Sequence, residues 1–224
     1  MHNILLLVFE ILFVFGMLVI CSKTFGRTGL IAWVGIATVL ANLLTAKNVD
    51  LCGMTVSMGT VWFASVFLAT DIISELYDKA DAKRAVLFGL FSNFLFIIAP
   101  QITLAYVPSV VDYAHDYMAG LFGLNLRISI ASSVMYVIAN LADVSIYNAL
   151  RDKMHGHMWI RNNVSTVLTN CLENFGFFFL AFFGLYDLKT VLTMALCTSA
   201  VEMVVAFCDT PFLYIATRNK RGAK

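Results

Sequence analysis

Seven carboxylate side chains lie inside apolar segments, where a lipid-facing helix ordinarily carries none. They are Glu10, Asp71, Glu75, Asp143, Glu173, Glu202 and Asp209. A carboxylate at the bilayer centre costs about 2.5 to 3.5 kcal/mol on insertion scales, so such residues usually face a water-filled cavity or a partner. No Lys or Arg lies in the interior of these segments. The acidic interior therefore indicates ligand binding or ion coupling, although Glu10 has few polar neighbours and receives no role.

Helical spacing places most of these acids beside aromatic and amide side chains. The three stripes are Tyr136, Asn140, Asp143 and Tyr147; Thr166, Asn170, Glu173 and Phe177; and Phe67, Asp71 and Glu75. Such a combination suits a planar, nitrogen-rich heterocycle, which stacks on a ring while its N–H groups donate to a carboxylate. Hydrogen bonds that merely join helices remain an alternative, above all for Asn140 and Asn170. For Asp143 and Glu173 we favour a ligand or coupling role, because a neutral residue would join helices at lower cost.

The composition requires that a membrane surround these stripes. The chain has 224 residues, of which 60% are hydrophobic and 13% are charged, far from the average soluble domain. Spans of about 20 residues would occupy nearly all of it. We therefore predict one all-α integral membrane domain. Its seven apolar segments are approximately 3–22, 28–46, 59–77, 85–107, 127–150, 163–184 and 190–214.

The basic residues support this count of spans. If all seven segments cross the membrane, the connections alternate between its two sides. All but Lys47, Arg127 and Lys189 of the 15 basic residues then fall on one side. Basic residues concentrate on the cytoplasmic side. The pattern therefore predicts a multi-pass protein of the cell's inner (plasma) membrane, with the amino terminus outside and the carboxyl terminus in the cytoplasm.

No catalytic, cofactor or metal motif accompanies the acids. The sequence has no GxSxG, HExxH, GxGD-like or Walker A signature, which argues against an intramembrane enzyme. Its five cysteines show no CxxC spacing and are interpreted as packing residues. His155 and His157 are interpreted as part of a solvated loop.

Four polar sites near the cytoplasmic ends of the segments have open interpretations. In "IRNNVST" (160–166), Asn162 or Asn163 could cap the sixth helix while Arg161 reaches the lipid headgroups. Asp209 stands beside Pro211, where a structural and a gating role are equally compatible. Glu75 is expected to stay ionised near the basic turn that contains Lys79, Lys83 and Arg84. Asp81 is expected to be solvated in that turn.

Several linked motifs resemble one known family. "FLATDIISELY", "AKRAV", "RISIASSVMYVIANLADVSIYNAL", "WIRNNVST" and "DTPFLY" occur in the order and at about the spacing of the queuosine precursor transporters. The resemblance runs from about Gly26 to Tyr214. It implies a compact helical bundle similar to the substrate-binding subunits of energy-coupling-factor importers. It also implies uptake of 7-deazaguanine bases, such as the cyano or aminomethyl forms or queuine.

The chain departs from that family's pattern at four positions. Asp78 stands where the family usually has Gly, Glu173 where it has Asp, Asn174 where it has Thr or Ser, and Glu202 where Lys is common. An acid in place of a cation at Glu202 makes the cavity more negative. The substrate or the coupling ion is therefore expected to differ from those of other members.

We predict a single transporter domain over residues 1–224, with an extra amino-terminal helix at 1–25 and a family core at 26–217. The predicted substrate-binding residues are Phe67, Asp71, Tyr136, Asn140, Asp143, Asn170, Glu173 and Asn174. The predicted gating or coupling residues are Glu75, Arg161, Glu202 and Asp209. The expected partners are a nucleobase-like small molecule and membrane lipid, with no nucleic acid and no cofactor; homo-oligomerisation stays open. Import of another vitamin or a cationic metabolite, and dependence on a separate ATPase, remain alternatives.

Overall fold

The architecture is a bundle of long helices with one small β-hairpin. The computed structural model describes residues 2–51, 54–123, 126–154 and 157–221. In chain order the elements are α1 (His2–Leu44), β1 (Asn48–Leu51), β2 (Met54–Ser57), α2 (Thr60–Leu76), α3 (Lys79–Leu104), α4 (His115–Phe122), α5 (Leu126–Lys153), α6 (Met158–Phe182) and α7 (Leu188–Arg221).

Helix α1 folds back on itself at Gly26. This residue has φ 57° and ψ −138°, a combination that only glycine adopts readily. Near the start of α1, the Asn3 side-chain amide donates to the Asp50 carbonyl over 3.3 Å, and Asp50 lies just beyond the end of α1. A straight helix of this length would hold its ends about 60 Å apart at 1.5 Å per residue. The two halves of α1 must therefore run antiparallel, with the reversal at Gly26.

Helix α2 is the central element of the bundle. Thirteen of its residues are buried, from Thr60 to Ser74, and it contacts α1, α3, α5, α6 and α7. A helix that is apolar on all sides is buried in protein or in lipid, and here the neighbouring helices bury α2. Asp71 and Glu75 thus lie on a helix that is enclosed by protein, which explains how an apolar segment accommodates them.

The bundle has two ends, which we call the basic end and the hairpin end. At the basic end, the reversal at Gly26 lies against the start of α3, as shown by an ion pair of 3.1 Å between Arg27 and Asp81. The hairpin end contains β1 and β2, which pair antiparallel. Here Arg127 of α5 donates to the carbonyls of Leu180 and Phe183 at the end of α6, over 2.8 and 2.7 Å.

The start of α7 at the hairpin end is fixed by a side-chain cap. The Thr190 hydroxyl and backbone N–H donate to the Asp187 carboxylate over 2.6 and 3.1 Å. These hydrogen bonds lower the pKa of Asp187 and satisfy a backbone donor of the first turn.

The prediction of an all-α membrane protein agrees with the structure in its main point. Within the described residues, five helices are long and apolar enough to cross a membrane: α1, α3, α5, α6 and α7. Helix α2 has only 17 residues, and α1 contains two of the predicted segments. The hairpin and the short helix α4 were not anticipated.

Two local expectations were wrong. Helix α6 begins at Met158, so Asn162 and Asn163 are buried inside the helix and do not cap it. Asp81 is also buried, since α1 and α3 enclose it and Arg27 and Arg84 both donate to it. His155 lies outside the described residues.

Candidate functional site

A cavity of about 520 Å³ opens among the helices at the hairpin end. Its wall is formed by α1, the hairpin, α2, α3, α5, α6 and α7. We call it the hairpin-end cavity. Its polar and charged lining residues are Asn42, Thr45, Asn48, Ser57, Thr60, Asn93, Ser132, Tyr136, Glu173, Asn174, Thr198 and Glu202. This volume falls within the range of about 300 to 1,000 Å³ that is typical of small-molecule sites.

Two carboxylates face this cavity from neighbouring helices. Glu173 lies on α6 and Glu202 on α7, close enough for their charges to interact. The Asn174 side-chain amide donates to Glu202 Oε2 over 2.6 Å. Glu173 Oε2 is buried and bonds to no donor in the described part of the chain. A buried carboxylate oxygen without a donor is costly, so this atom is available for an N–H group of a ligand.

Aromatic rings form much of the remaining wall. Phe177 and Phe178 project from one turn of α6 and Phe182 from the next. The rings of Phe178 and Phe182 stack with centroids 5.8 Å apart. On the other side, Phe63 meets Tyr136 edge to face at 6.5 Å. Flat apolar walls around two carboxylates can hold a planar ring and pair with its polar edge.

The position of Tyr136 depends on a glycine in α3. A Cβ atom at Gly89 would overlap the Tyr136 hydroxyl oxygen. That hydroxyl also lies 3.4 Å from both the Thr38 hydroxyl and the Val86 carbonyl. Glycine at this point thus lets α3 approach α5 closely and keeps the tyrosine ring at the cavity wall.

A second acidic group lies deeper and does not line the cavity. Asp71, Asp143 and Asp209 are fully buried on α2, α5 and α7; we call them the buried acid cluster. The carboxyl groups of Asp71 and Asp143 are within hydrogen-bonding reach of each other. Neither carboxyl has a donor when both are ionised, so a hydrogen bond between them needs a proton.

The environment of the buried acid cluster is polar but incompletely paired. Asn162 donates to Asp209 Oδ1 over 2.6 Å, and Thr169 donates to Asp143 Oδ1 over 3.4 Å. Neither oxygen of Asp71 has a donor among the described residues. These oxygens can therefore accept from a shared proton, from water or from a ligand.

The basic end is closed by an ion pair between α2 and α6. The Arg161 guanidinium donates to Glu75 Oε1 and, over 2.8 Å, to the Met154 carbonyl. The Tyr147 hydroxyl also donates to Glu75 Oε1 over 3.0 Å, and the guanidinium lies 5.7 Å from the centre of the Tyr147 ring. Arg161 is therefore a buried ion-pair partner, and the expectation that it reaches the lipid headgroups was wrong.

A further basic residue completes this closure. Arg151 of α5 donates to the Ser74 carbonyl in the last turn of α2, where helix carbonyls lack partners and attract cations. Glu75 is bonded to Arg161 and Tyr147, whereas Asp81 takes the hydrogen bonds of Arg27 and Arg84. The sequence thus indicated the wrong cations for Glu75.

The structure places most of the predicted site residues in three separate regions of the bundle. The hairpin-end cavity is lined by Tyr136, Glu173, Asn174 and Glu202. Asp71, Asp143 and Asp209 form the buried acid cluster, while Glu75 and Arg161 close the basic end. Asn140 and Asn170 are buried with unpaired side-chain oxygens, and Phe67 packs behind Phe63 at 5.3 Å.

Sequence reasoning missed part of this arrangement. Asn42, Asn48 and Asn93 line the cavity, but no helical stripe connects them to the acids. Within the described residues, no group of three or more His, Cys, Asp or Glu side chains is arranged to hold a metal ion.

Comparison with known proteins assigns the chain to a family. Residues 57–216 match the family described as "Putative vitamin uptake transporter". The chain belongs to this family. A Bacillus subtilis (strain 168) protein named "Probable queuosine precursor transporter" is 31% identical over 201 residues, which are 88% of this chain and 86% of that protein. The family assignment therefore extends over most of the chain.

Two further relatives have matching names. The "Queuosine precursor transporter" of Escherichia coli (strain K12) is 28% identical over 63% of this chain and 62% of its own length. A Haemophilus influenzae (strain ATCC 51907 / DSM 11121 / KW20 / Rd) protein named "Probable queuosine precursor transporter" is 29% identical over 58% of this chain and 53% of its own length. No solved structure matches the chain. Family membership and the apolar helices together make the chain a multi-pass membrane transporter.

Proposed function

We propose that this protein imports queuosine precursors and binds 7-deazaguanine bases in the hairpin-end cavity. The observation that carries the proposal is the joint lining of one cavity by Glu173, Tyr136 and the phenylalanines of α6, in a chain that belongs to a transporter family. The names of the three relatives support this substrate class.

The chemistry of the base fits this lining. A 7-deazaguanine has a flat bicyclic ring with neighbouring N–H donors along one edge. Glu173 presents a carboxylate oxygen that lacks a donor within the described residues, and two N–H groups on one edge can bond one carboxylate. The rings of Tyr136 and Phe177 offer faces against which the base can stack.

We assign the buried acid cluster and the Glu75–Arg161 ion pair to translocation. Seven spans result when the two halves of α1 are counted separately, with the carboxyl terminus in the cytoplasm and residues 1–25 as a span added to the core. The hairpin-end cavity then faces outward, and the Glu75–Arg161 ion pair forms the cytoplasmic gate. The buried acid cluster lies on the enclosed helix α2 and its neighbours, where it would couple the two ends. An architecture resembling the energy-coupling-factor subunits remains a prediction.

The first test is binding by a Glu173→Gln variant. A hydrogen bond to a charged group is worth about 1.5 to 3 kcal/mol, so its loss should weaken binding of a labelled 7-deazaguanine base by about 10- to 100-fold. Equilibrium binding to purified protein in detergent measures this effect.

Asp112→Asn is unsuitable as a control, because Asp112 accepts hydrogen bonds from the backbone N–H groups of Ala114 and His115 at the start of α4. Asp116→Asn is suitable, because this exposed residue of α4 does not line the cavity. It should keep the parent's affinity. Equal affinities for parent and Glu173→Gln would remove Glu173 from the site, and no binding of any 7-deazaguanine would contradict the proposed function.

The second test concerns topology. Lys153 and Asp116 are exposed at opposite ends of the proposed spans. Single cysteines at these positions, in a background without the native cysteines, should react with an impermeant maleimide from the cytoplasm and from outside, respectively. Labelling of both from one side would disprove the seven-span arrangement.

A further inference from the structure

We propose that the hairpin-end cavity selects bases that carry a protonated amine, and that Glu202 sets this preference. The inference rests on the proposed function, since it chooses among queuosine precursors by charge. Glu202 lies on α7, the helix next to α6, which carries Glu173, the residue to which we assign the ring edge of the base. Glu202 could therefore bind a substituent of the base while Glu173 binds the ring edge.

The charge of the cavity favours a cation. Glu173 and Glu202 both line it, and none of the described residues in its wall is Lys, Arg or His. Lys47 precedes the lining residue Asn48 in the sequence, and its side chain is exposed. Two neighbouring carboxylates repel each other when ionised, and a bound cation relieves that repulsion.

The hydrogen bonding of Glu202 leaves it ready to accept from a ligand. Asn174 holds Glu202 Oε2 over 2.6 Å and thereby orients the carboxylate. No other side chain among the described residues donates to it. Because Asn174 is itself buried and Glu202 is half-buried, an ion pair formed here would be only partly screened by water.

The two simplest substituents would interact with this carboxylate in opposite ways. An aminomethyl group is a primary amine, which is protonated at neutral pH like a lysine side chain, so it donates charged hydrogen bonds to Glu202. A cyano group is neutral and presents only an acceptor, so it repels a carboxylate oxygen. The parent protein should bind the aminomethyl base about 10- to 100-fold more tightly than the cyano base.

The experiment compares these two bases on the purified full-length protein. Affinities for 7-aminomethyl-7-deazaguanine and 7-cyano-7-deazaguanine are measured for the parent, Glu202→Gln, Glu202→Asp and the control Asp116→Asn. Glu202→Gln should lower the affinity for the aminomethyl base and bring the ratio of the two affinities close to one. Glu202→Asp keeps the charge and should retain the preference, as should the control.

For each variant, the affinity for the cyano base serves as an internal reference, because it reports whether the cavity is intact. Equal or tighter binding of the cyano base by the parent would overturn the inference while leaving the proposed function standing. The same holds if Glu202→Gln binds both bases and keeps the full preference for the aminomethyl form. Failure of the parent to bind either base would overturn the proposed function, and the inference with it.

Discussion

We expect Arg161→Met to lower the free energy of unfolding by about 3 to 5 kcal/mol, because removing one member of a buried ion pair leaves the other charge uncompensated. Only 3% of the Arg161 side chain and 16% of the Glu75 side chain are exposed. The variant also loses the hydrogen bond from Arg161 to the Met154 carbonyl. Methionine preserves much of the side-chain length, so the loss of charge dominates the result.

Denaturant titration in a mild detergent measures this effect, with Arg84→Met as the matched control. Arg84 also pairs with an aspartate, Asp81, over 3.4 Å, but its side chain is 71% exposed. Exposed pairs contribute at most about 1 kcal/mol, so the control should unfold almost like the parent.

A double variant separates the ion pair from other effects of the substitution. Glu75→Gln combined with Arg161→Met should cost less than the sum of the two single changes, since neither partner is then left charged and alone. Additive costs, or an Arg161→Met variant as stable as Arg84→Met, would show that the pair does not hold the basic end closed.

The second large effect is expected for Asp71→Asn, which should retain binding and lose uptake. Asp71 is fully buried beside Asp143 and does not line the hairpin-end cavity, so the affinity for the base should stay within about twofold of the parent. The new amide, however, can donate permanently to Asp143. Such a bond to a charged group is worth about 1.5 to 3 kcal/mol, which would slow the rearrangement of these helices about 10- to 100-fold.

Uptake into liposomes and binding to the same purified preparation test this separation. Asp152→Asn is the control, because it is the same substitution at an exposed position near the basic end. If Asp71→Asn transports at the parent's rate, the buried acid cluster has no part in translocation. If it instead loses affinity while Asp152→Asn does not, Asp71 belongs to the binding site.

The sequence predicted the helical parts of this fold well for a physical reason. Long apolar segments broken by polar turns have few alternatives to membrane-spanning helices. The same periodicity placed Glu173 and Phe177 on one face of α6, and the structure places both in the cavity wall. Such local patterns are properties of a single helix, so one sequence suffices to find them.

Periodicity within single helices could not predict which residues of different helices contact each other. The pairing of Glu75 with Arg161 joins residues 86 positions apart, whereas closeness in the sequence offered the cations of the turn after α2, Lys79, Lys83 and Arg84. The hairpin was missed because its strands are only four residues each, too short for a clear alternation.

The reversal at Gly26 has a consequence for how the protein is made. The sharp turn leaves no loop of appreciable length between the two halves of α1. One half therefore cannot enter the lipid bilayer while the other half remains in the translocation machinery. We expect the first 44 residues to partition into lipid together, as one helical hairpin. A tag or a charged insertion at this turn would then reduce the amount of protein that reaches the membrane, while the molecules that do arrive would bind the base normally.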